Sequence, residues 1–471
     1  MSAAGDPPGI TTFPGGTARI RPMMDGGSPD PAASSGDAAL PQTDVLVIGG
    51  GPAGSTVATL LARRGHQVTL IEKERHPRFH IGESLLPANL PLLEQLGVAD
   101  QVRAIGMQKL GAEFISPWDG REQDFRFAQA WNKSMPYAYQ VRRSQFDEIL
   151  IRNAAQAGVQ VIEGCRVRTV EFEPRPRAGG VDAVRIEAQH QDGRMQHWRA
   201  RYLIDASGRD TFLANSLGFK RRNPKHNSAA IFGHFSGADR HAGERAGHIS
   251  IYWFDHGWFW FIPLHDGATS VGAVVWPYYL KSRSVPVREF FLSTIALCPP
   301  LARRLANATL ITDVEATGNY SYSSTHSHGE GYMLLGDAFT FIDPVFSTGV
   351  LLAMHSAFVG ADAVDACLRA PSRARAALRA FDRSIRCGPR EYSWFIYRVT
   401  TPTMRELLLA PRNLLRMKEA MLSVLAGDIF DRTPIWSSVR AFKMTFGLFS
   451  LLHPRRSVVA ARRRSVNIRP V

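Results

Sequence analysis

Three glycines near the start of the segment TDVLVIGGGPAGSTVATLLARRGHQVTLIEKE have the spacing needed to bind a phosphate group. Gly49, Gly51 and Gly54 fit G-x-G-x-x-G, and Ala53 precedes the third glycine. Glycines at this spacing permit a tight turn, a close approach of the backbone to a pyrophosphate, and close packing of a helix on a strand. Glu72 ends the next apolar stretch, where a carboxylate can accept a hydrogen bond from a ribose hydroxyl. The segment is therefore predicted to bind a dinucleotide at the N-terminus of its helix.

Two later segments each place an aspartate after an apolar stretch that is predicted to be a strand. YLIDASGRDT contains Asp205 and Gly208, and YMLLGDAFTFIDPVFSTGVLLAM contains Gly336 and Asp337. An aspartate at such a turn is by itself a common helix cap. The second segment, however, resembles the segment of aromatic-hydroxylase-type flavoproteins whose aspartate contacts the ribityl chain of FAD. With the N-terminal glycine motif in the same chain order, this resemblance implies that the dinucleotide is FAD.

The stretch HGWFWFIPL, residues 256–264, alternates tryptophan with phenylalanine. Side chains two residues apart in a strand share a face, so Trp258 and Trp260 are expected on one face, with Phe259 and Phe261 on the other. Pro263 cannot donate a hydrogen bond to a neighbouring strand, which predicts that the strand ends there. Packing in an apolar core would by itself explain these four aromatic residues.

Five segments together resemble flavin-dependent halogenases. WFWFIP matches the W-x-W-x-I-P signature of that family, including Ile262 and Pro263. RFHIGESLLP is similar to the segment after the second strand in the halogenases that act on phenols, pyrroles and carrier-bound aromatics. KLGAEF resembles the segment that holds the family's catalytic lysine, DPVFSTGV its halide-site loop, and SVLAGDIF its C-terminal helical region. The similarity runs from about residue 43 to 435.

This resemblance implies an enzyme that uses FADH2, O2 and chloride or bromide to form hypohalous acid. The acid would halogenate an electron-rich aromatic ring such as a phenol, a tyrosyl group or a pyrrole. Trp258 and Trp260 would form a wall that keeps the substrate away from the flavin. Lys109 is expected to be catalytic, either as an amine that takes up the halogen or as an ammonium that holds hypohalous acid. The first route requires that burial or neighbouring cations lower the pKa of this lysine.

Two further sets of residues receive roles from the same resemblance. Consecutive N–H groups in a turn before a helix form a concavity that binds anions. The residues whose amides are expected to bind the halide are Ser347, Thr348, Gly349 and Val350. Glu83 and Ser84 either cap the following helix, as these residue types commonly do, or couple the flavin site to the lysine.

The motifs also indicate which partner proteins and which substrate to expect. The sequence contains no second glycine motif for NAD(P)H, which favours a two-component system with a separate NAD(P)H-dependent flavin reductase. The substrate is expected to be an aromatic small molecule or an aromatic group tethered to an acyl or peptidyl carrier protein in secondary metabolism. Tryptophan halogenases supply a glutamate near the substrate; no equivalent is identified here, which favours a phenol or pyrrole.

Three alternatives remain open. An FAD-dependent aromatic hydroxylase, or a related flavin reductase of the same fold, would share the glycine motifs but would not require Lys109 or the tryptophan pair. A flavoprotein that has lost catalysis and acts as a scaffold is of a different class, and failure to bind FAD would favour it.

The elements that must position these residues indicate an α/β protein. We expect a Rossmann-type FAD-binding domain, an antiparallel-sheet substrate domain and a helical C-terminal region. Prolines at 389, 402, 411 and 434 are expected to break the C-terminal helices. The predicted segments are a disordered extension over 1–42, an FAD-binding core over 43–388 with the substrate sheet interleaved at about 100–140 and 210–325, a helical substrate-side region over 389–452, and a frayed basic tail over 453–471.

The amino-acid composition further limits the classes of partner and the cellular location to be expected. The 471 residues include 56 Lys and Arg against 42 Asp and Glu, a net charge of +14 that favours acidic partners. No motif supports nucleic-acid binding. The four cysteines have no metal-ligand spacing, so no metal site is expected and a reducing, cytoplasmic location is predicted. No uninterrupted apolar run has the length of a membrane span.

Overall fold

The computed structural model describes residues 19–20, 40–174, 181–318, 321–430 and 433–469. The extension predicted to be disordered, residues 1–42, therefore lies largely outside the described residues. Within it, a two-residue strand at 19–20 pairs in parallel with Thr169 and Val170.

The described residues form 22 strands and 14 α-helices. The strands are β1 (Arg19–Ile20), β2 (Gln42–Ile48), β3 (Val68–Glu72), β4 (Met107–Lys109), β5 (Gly111–Ile115), β6 (Glu122–Arg126), β7 (Ala138–Gln140), β8 (Gln160–Glu163), β9 (Cys165–Pro174), β10 (Val181–His190), β11 (Met195–Asp205), β12 (Lys220–Arg222), β13 (Ala229–Ser236), β14 (Ile249–Phe254), β15 (Gly257–Pro263), β16 (Thr269–Val275), β17 (Thr309–Leu310), β18 (Glu315–Thr317), β19 (Tyr322–Ser324), β20 (His328–Gly329), β21 (Tyr332–Leu334) and β22 (Thr340–Phe341). The helices are α1 (Pro52–Arg63), α2 (Leu90–Leu96), α3 (Ala99–Ile105), α4 (Arg143–Gln156), α5 (Phe212–Ser216), α6 (Pro277–Lys281), α7 (Val287–Ala296), α8 (Pro299–Arg304), α9 (Gly349–Arg369), α10 (Pro371–Ile396), α11 (Pro402–Leu409), α12 (Met417–Ala426), α13 (Trp436–Leu452) and α14 (Pro454–Asn467).

The first sheet carries the glycine motif. Its main strand order is β1-β9-β10-β11-β2-β3-β8, and β21 adds in parallel to β11. The strands β11, β2, β3 and β8 run parallel, whereas β9, β10 and β11 are antiparallel. The helices α1, α9 and α10 cover this sheet and bury an aliphatic core with it. The predicted α/β class with a Rossmann-type unit is confirmed.

The second sheet has eight strands, in the main order β17-β13-β16-β15-β14-β5-β6. Its two faces carry separate cores. Phe259 and Phe261 pack with α7 and α8 on one face. Trp258, Trp260 and Ile262 pack on the other face with the C-terminal helices α10 to α13. The alternation predicted from WFWFIP is present, and Pro263 is the last residue of β15.

The predicted break at Pro389 is wrong. Pro389 lies inside α10, although a proline within a helix removes a hydrogen bond and costs about 3 kcal/mol. Buried side chains anchor the helix on both sides of it: Phe381 and Ile385 before it, Tyr392 and Phe395 after it. Each such side chain contributes roughly 1.5–3 kcal/mol on burial, which outweighs the cost of the proline. The predicted boundary at 388/389 therefore falls within a continuous helix.

The basic segment after residue 453 is helical rather than frayed. Asn467 of α14 is buried, and Arg464 donates to the carbonyl of Lys225 at 2.8 Å and lies over the Tyr397 ring. These contacts hold the segment against the turn at Lys225 and against Tyr397 in the C-terminal region.

Helix α9 has the length and apolar composition of a membrane span, but 56% of its apolar window is buried inside the protein. It packs against α1 and α10, as the core helix of a domain does.

Candidate active site

The glycine loop between β2 and α1 forms an open cradle at the helix N-terminus. A Cβ on Gly49 would lie 2.4 Å from the Ala206 carbonyl oxygen, and one on Gly54 would lie 1.9 Å from the Gly49 carbonyl oxygen. The backbone therefore requires glycine at both positions. A Cβ on Gly51 would meet only the end of the Arg78 side chain, at 3.7 Å, among the described atoms. The space in front of Gly51 and α1 is thus free for a pyrophosphate, and the residues present fit the group.

Glu72 lies at the end of β3, as the sequence predicts. Its Oε2 accepts a hydrogen bond from the Gly50 N–H at 2.6 Å, and its Oε1 accepts one from the Glu74 N–H at 3.0 Å. The carboxylate therefore holds the glycine loop in place. Each oxygen keeps a second lone pair that a ribose hydroxyl can use.

The two aspartates singled out in the sequence have different environments. Both oxygens of Asp205 are occupied by backbone N–H groups, those of Ser207 at 2.9 Å and Leu213 at 2.7 Å, so this residue shapes a turn. Asp337 follows Gly336, whose φ of +53° favours glycine. Within the described part of the chain no hydrogen bond is formed by the Asp337 carboxylate, and burial raises its pKa to about 6. An unpaired carboxylate next to the glycine loop suits the hydroxyls of a ribityl chain.

Lys109 is a buried amine at the end of β4. Its side chain is 1% exposed, and Nζ donates to Ser84 Oγ at 2.9 Å and to the Leu85 carbonyl at 3.0 Å. The Phe127 ring lies 5.3 Å from Nζ. Burial lowers the pKa of Lys109 to about 7, and no carboxylate among the described residues forms an ion pair with it. The Lys109 amine therefore gives up its proton at a much lower pH than a solvent-exposed lysine does.

Ser84 and Glu83 have different partners in the structure. Ser84 contacts Lys109 directly. Glu83 instead pairs with His234, whose Nε2 lies 3.0 Å from each carboxylate oxygen. Strand register places His234 opposite Ser270 and Ser270 opposite Ile262. The Glu83–His234 pair therefore lies at the Ile262 end of the tryptophan face. Of these two side chains, the one that contacts Lys109 is therefore that of Ser84.

Trp258 and Trp260 form a continuous aromatic surface with ring centroids 6.1 Å apart. The Trp260 indole donates to Ser270 Oγ at 3.1 Å and lies across Gly272, where a Cβ would come within 2.2 Å of the ring. Both side chains are at most 5% exposed. The arrangement fits a rigid wall as well as a core.

The predicted halide loop precedes α9. Ser347 adopts a left-handed conformation with φ of +56°, and its N–H already donates to the Pro344 carbonyl at 2.8 Å. The amides of Thr348, Gly349 and Val350 begin the helix, where N–H groups have no acceptor within the helix. A Cβ on Gly349 would meet only Phe341, at 3.9 Å, among the described residues. The Ser347 amide is therefore already hydrogen-bonded, whereas halide binding by the amides of Thr348, Gly349 and Val350 stays a prediction.

Comparison with known proteins identifies the family. Residues 42–375 match the family model described as FAD binding domain. The chondrochloren halogenase structure from a myxobacterium superimposes with a TM-score of 0.72 at 32% identity, over 84% of this chain and 93% of that one. The chain belongs to the flavin-dependent halogenase family.

Two curated relatives differ in what they act on. A tryptophan 2-halogenase of Chondromyces crocatus is 38% identical over 68% of this chain, and the match spans 61% of that relative's length. A 1H-pyrrole-2-carbonyl-[peptidyl-carrier protein] chlorinase of Pseudomonas fluorescens is 29% identical over 82% of this chain and 90% of the relative. The family resemblance stated from the motifs is confirmed.

Sequence reasoning about this halogenase missed two buried histidines, His226 and His234. His234 is 151 residues from its partner Glu83, and His226 is 117 residues from its partner Asp343. Neither histidine belongs to a local motif, so a single sequence offered no signal for either one.

Proposed function

We propose that this family member is an FADH2-dependent halogenase that uses O2 and chloride or bromide to form hypohalous acid, which halogenates an electron-rich aromatic ring. The observation that carries the proposal is Lys109: a buried amine whose pKa falls to about 7. A hydroxylase of the same fold has no need for such a group, because its oxygen transfer involves no halogen carrier. An uncharged amine can accept a halogen or hydrogen-bond to hypohalous acid.

The glycine cradle, Glu72 and Asp337 would hold FAD, with the pyrophosphate at Gly51 and the ribityl hydroxyls at Asp337. When bound in reduced form, FAD supplies the electrons that activate O2 for oxidation of the halide. The amides of Thr348, Gly349 and Val350 would hold the halide at the positive end of α9. Their N–H groups act on the anion without any change in their own protonation.

The two tryptophans would separate this oxidation from the organic substrate. Trp258 and Trp260 lie on one face of β15 with the C-terminal helices packed on that face. A ring held by Ser270 and Gly272 cannot swing aside easily, so a bulky aromatic substrate is kept from the flavin. Hypohalous acid is small enough to pass to Lys109, with Ser84 orienting the amine.

The substrate we propose is a phenol, tyrosyl group or pyrrole, free or tethered to a carrier protein. The relative that chlorinates a carrier-bound pyrrole supports this class. The excess of basic residues complements an acidic carrier protein. Reduced FAD would come from a separate flavin reductase.

The test supplies the purified protein with reduced FAD, O2 and bromide, together with a soluble β-diketone that traps hypohalous acid and a panel of phenols and pyrroles. Halide-dependent bromination of the trap and of an aromatic compound is expected. Lys109→Met should still brominate the trap but no longer the aromatic substrate. If halide has no effect and an aromatic compound gains oxygen instead, the protein is a hydroxylase and the proposal is wrong.

A further inference from the structure

A narrow cavity lies between the tryptophan wall and the loop that precedes α9. Its lining includes His226, Ser228, Trp258, Asp343 and Thr400. The free space is too small to admit an aromatic ring.

The polar groups of this cavity are organised around Asp343. Its Oδ2 accepts from His226 Nε2 at 2.8 Å and from Ser228 Oγ at 3.0 Å, and its Oδ1 accepts from the Val345 N–H at 3.1 Å. Because the carboxylate accepts from Nε2, that nitrogen carries the proton. In the neutral imidazole, Nδ1 is then a hydrogen-bond acceptor.

His226 Nδ1 is buried and has no hydrogen-bond partner among the described residues, and the side chain is 5% exposed. The imidazole is fixed by its neighbours: it stacks on Tyr397 with centroids 5.9 Å apart and meets the edge of Trp276 at 6.0 Å. A buried acceptor left unpaired costs roughly 1–3 kcal/mol. A fixed acceptor of this kind next to a small cavity points to a small hydrogen-bond donor as its ligand.

We propose that His226 Nδ1 binds one small O–H donor in this cavity: water in the resting protein, and hypohalous acid during turnover. The assignment to hypohalous acid rests on the proposed function. Halide is disfavoured there, because the Asp343 carboxylate that lines the cavity repels an anion. Trp258 and Asp343, the first residue of the loop before α9, both line the cavity. The site therefore retains the acid next to the tryptophan wall and limits its escape to solvent.

Two substitutions of His226 test its two ring nitrogens separately. In His226→Gln the side-chain amide nitrogen replaces Nε2, which keeps the hydrogen bond to Asp343 and removes the acceptor. In His226→Asn the amide oxygen replaces Nδ1, which keeps the acceptor and removes the hydrogen bond to Asp343. Circular dichroism and urea unfolding would confirm that both variants fold.

The measurement is the fraction of bromide oxidation that reaches the soluble β-diketone trap rather than the aromatic substrate. His226→Gln is expected to raise that fraction about fivefold, the factor that corresponds to one neutral hydrogen bond. His226→Asn should remain near the wild type. The reverse order would show that His226 acts only by positioning Asp343, and two unchanged variants would overturn the site altogether.

A crystal structure of the unmodified protein provides a readout that does not depend on turnover. One water within hydrogen-bond distance of His226 Nδ1 is expected, and the corresponding cavity of His226→Gln should lose it. A dry cavity in the wild type would overturn the proposal. If no variant brominates the trap at all, the proposed function and the role of hypohalous acid fail together, while the water at Nδ1 still decides whether the binding site exists.

Discussion

Replacing Lys109 by methionine should stabilise the protein at low pH and destabilise it at high pH. Methionine has a similar length and cannot be charged. In the unfolded chain the lysine holds its proton up to a pKa of 10.5, whereas burial lowers the native pKa to about 7. A difference of about 3.5 corresponds to roughly 5 kcal/mol of unfavourable free energy when the buried amine is charged.

The substitution also leaves Ser84 Oγ and the Leu85 carbonyl without their donor. At about 1 kcal/mol each, the two lost hydrogen bonds cost roughly 2 kcal/mol at any pH. Lys109→Met should therefore be more stable than the wild type by roughly 3 kcal/mol at pH 6. Between pH 7 and pH 10.5 the unfolded wild type binds more protons than the native state, so wild-type stability rises with pH by about 1.4 kcal/mol per pH unit relative to the variant. Between pH 7 and 9.5 the difference should shift by roughly 3 kcal/mol in favour of the wild type.

The assay is urea unfolding of both proteins between pH 6 and pH 9.5, followed by tryptophan fluorescence. Lys133→Met at an exposed position is the control and should show no such slope. Curves for Lys109→Met and the wild type that stay parallel across this range would refute the reasoning, because they would mean that the buried lysine keeps its proton. The uncharged-amine route to halogen transfer would then lose its support.

Three further predictions concern the cofactor site and the wall. Gly51→Val should fold normally but bind FAD about 100-fold more weakly, or ~3 kcal/mol, because a side chain there fills the space in front of α1; calorimetric titration checks this, and unchanged affinity would place the pyrophosphate elsewhere. The FAD affinity of the wild type should fall as the pH drops through about 6, where Asp337 takes up a proton. Asp337→Asn should bind FAD more weakly, and its affinity should not depend on pH in that range. If the variant keeps the pH dependence of the wild type, the titrating group is not Asp337. Gly272→Ala should lower the free energy of unfolding by roughly 1–3 kcal/mol, because its Cβ must displace the Trp260 indole. The control, Gly447→Ala within α13, places a Cβ where it meets no other atom within 4 Å and should raise the free energy of unfolding by up to about 1 kcal/mol. Equal effects of the two substitutions would contradict the contact with the indole.

The sequence by itself determined the parts of this protein that depend on neighbouring residues. The spacing of Gly49, Gly51 and Gly54 predicts a strand, a tight turn and a helix N-terminus, since the positive φ of Gly49 and the close approach of Gly54 to the Gly49 carbonyl both lie within that turn. The alternation in WFWFIP specifies which side chains share a face, since a strand repeats every two residues. Family resemblance over most of the chain then singled out Lys109, which no local pattern would distinguish from a surface lysine.

Only the tertiary structure decided which distant groups meet and how they are solvated. Burial of Lys109, with no carboxylate partner in the described part of the chain, lowers its pKa, and burial is a property of the whole fold. The pairs Glu83–His234 and Asp343–His226 join residues more than 100 positions apart, so their formation depends on strand register and helix packing. Helix α10 continues through Pro389 for the same reason. The free energy gained by burying side chains on both sides of the proline outweighs the local cost of a proline within a helix, and that burial depends on contacts with distant parts of the chain.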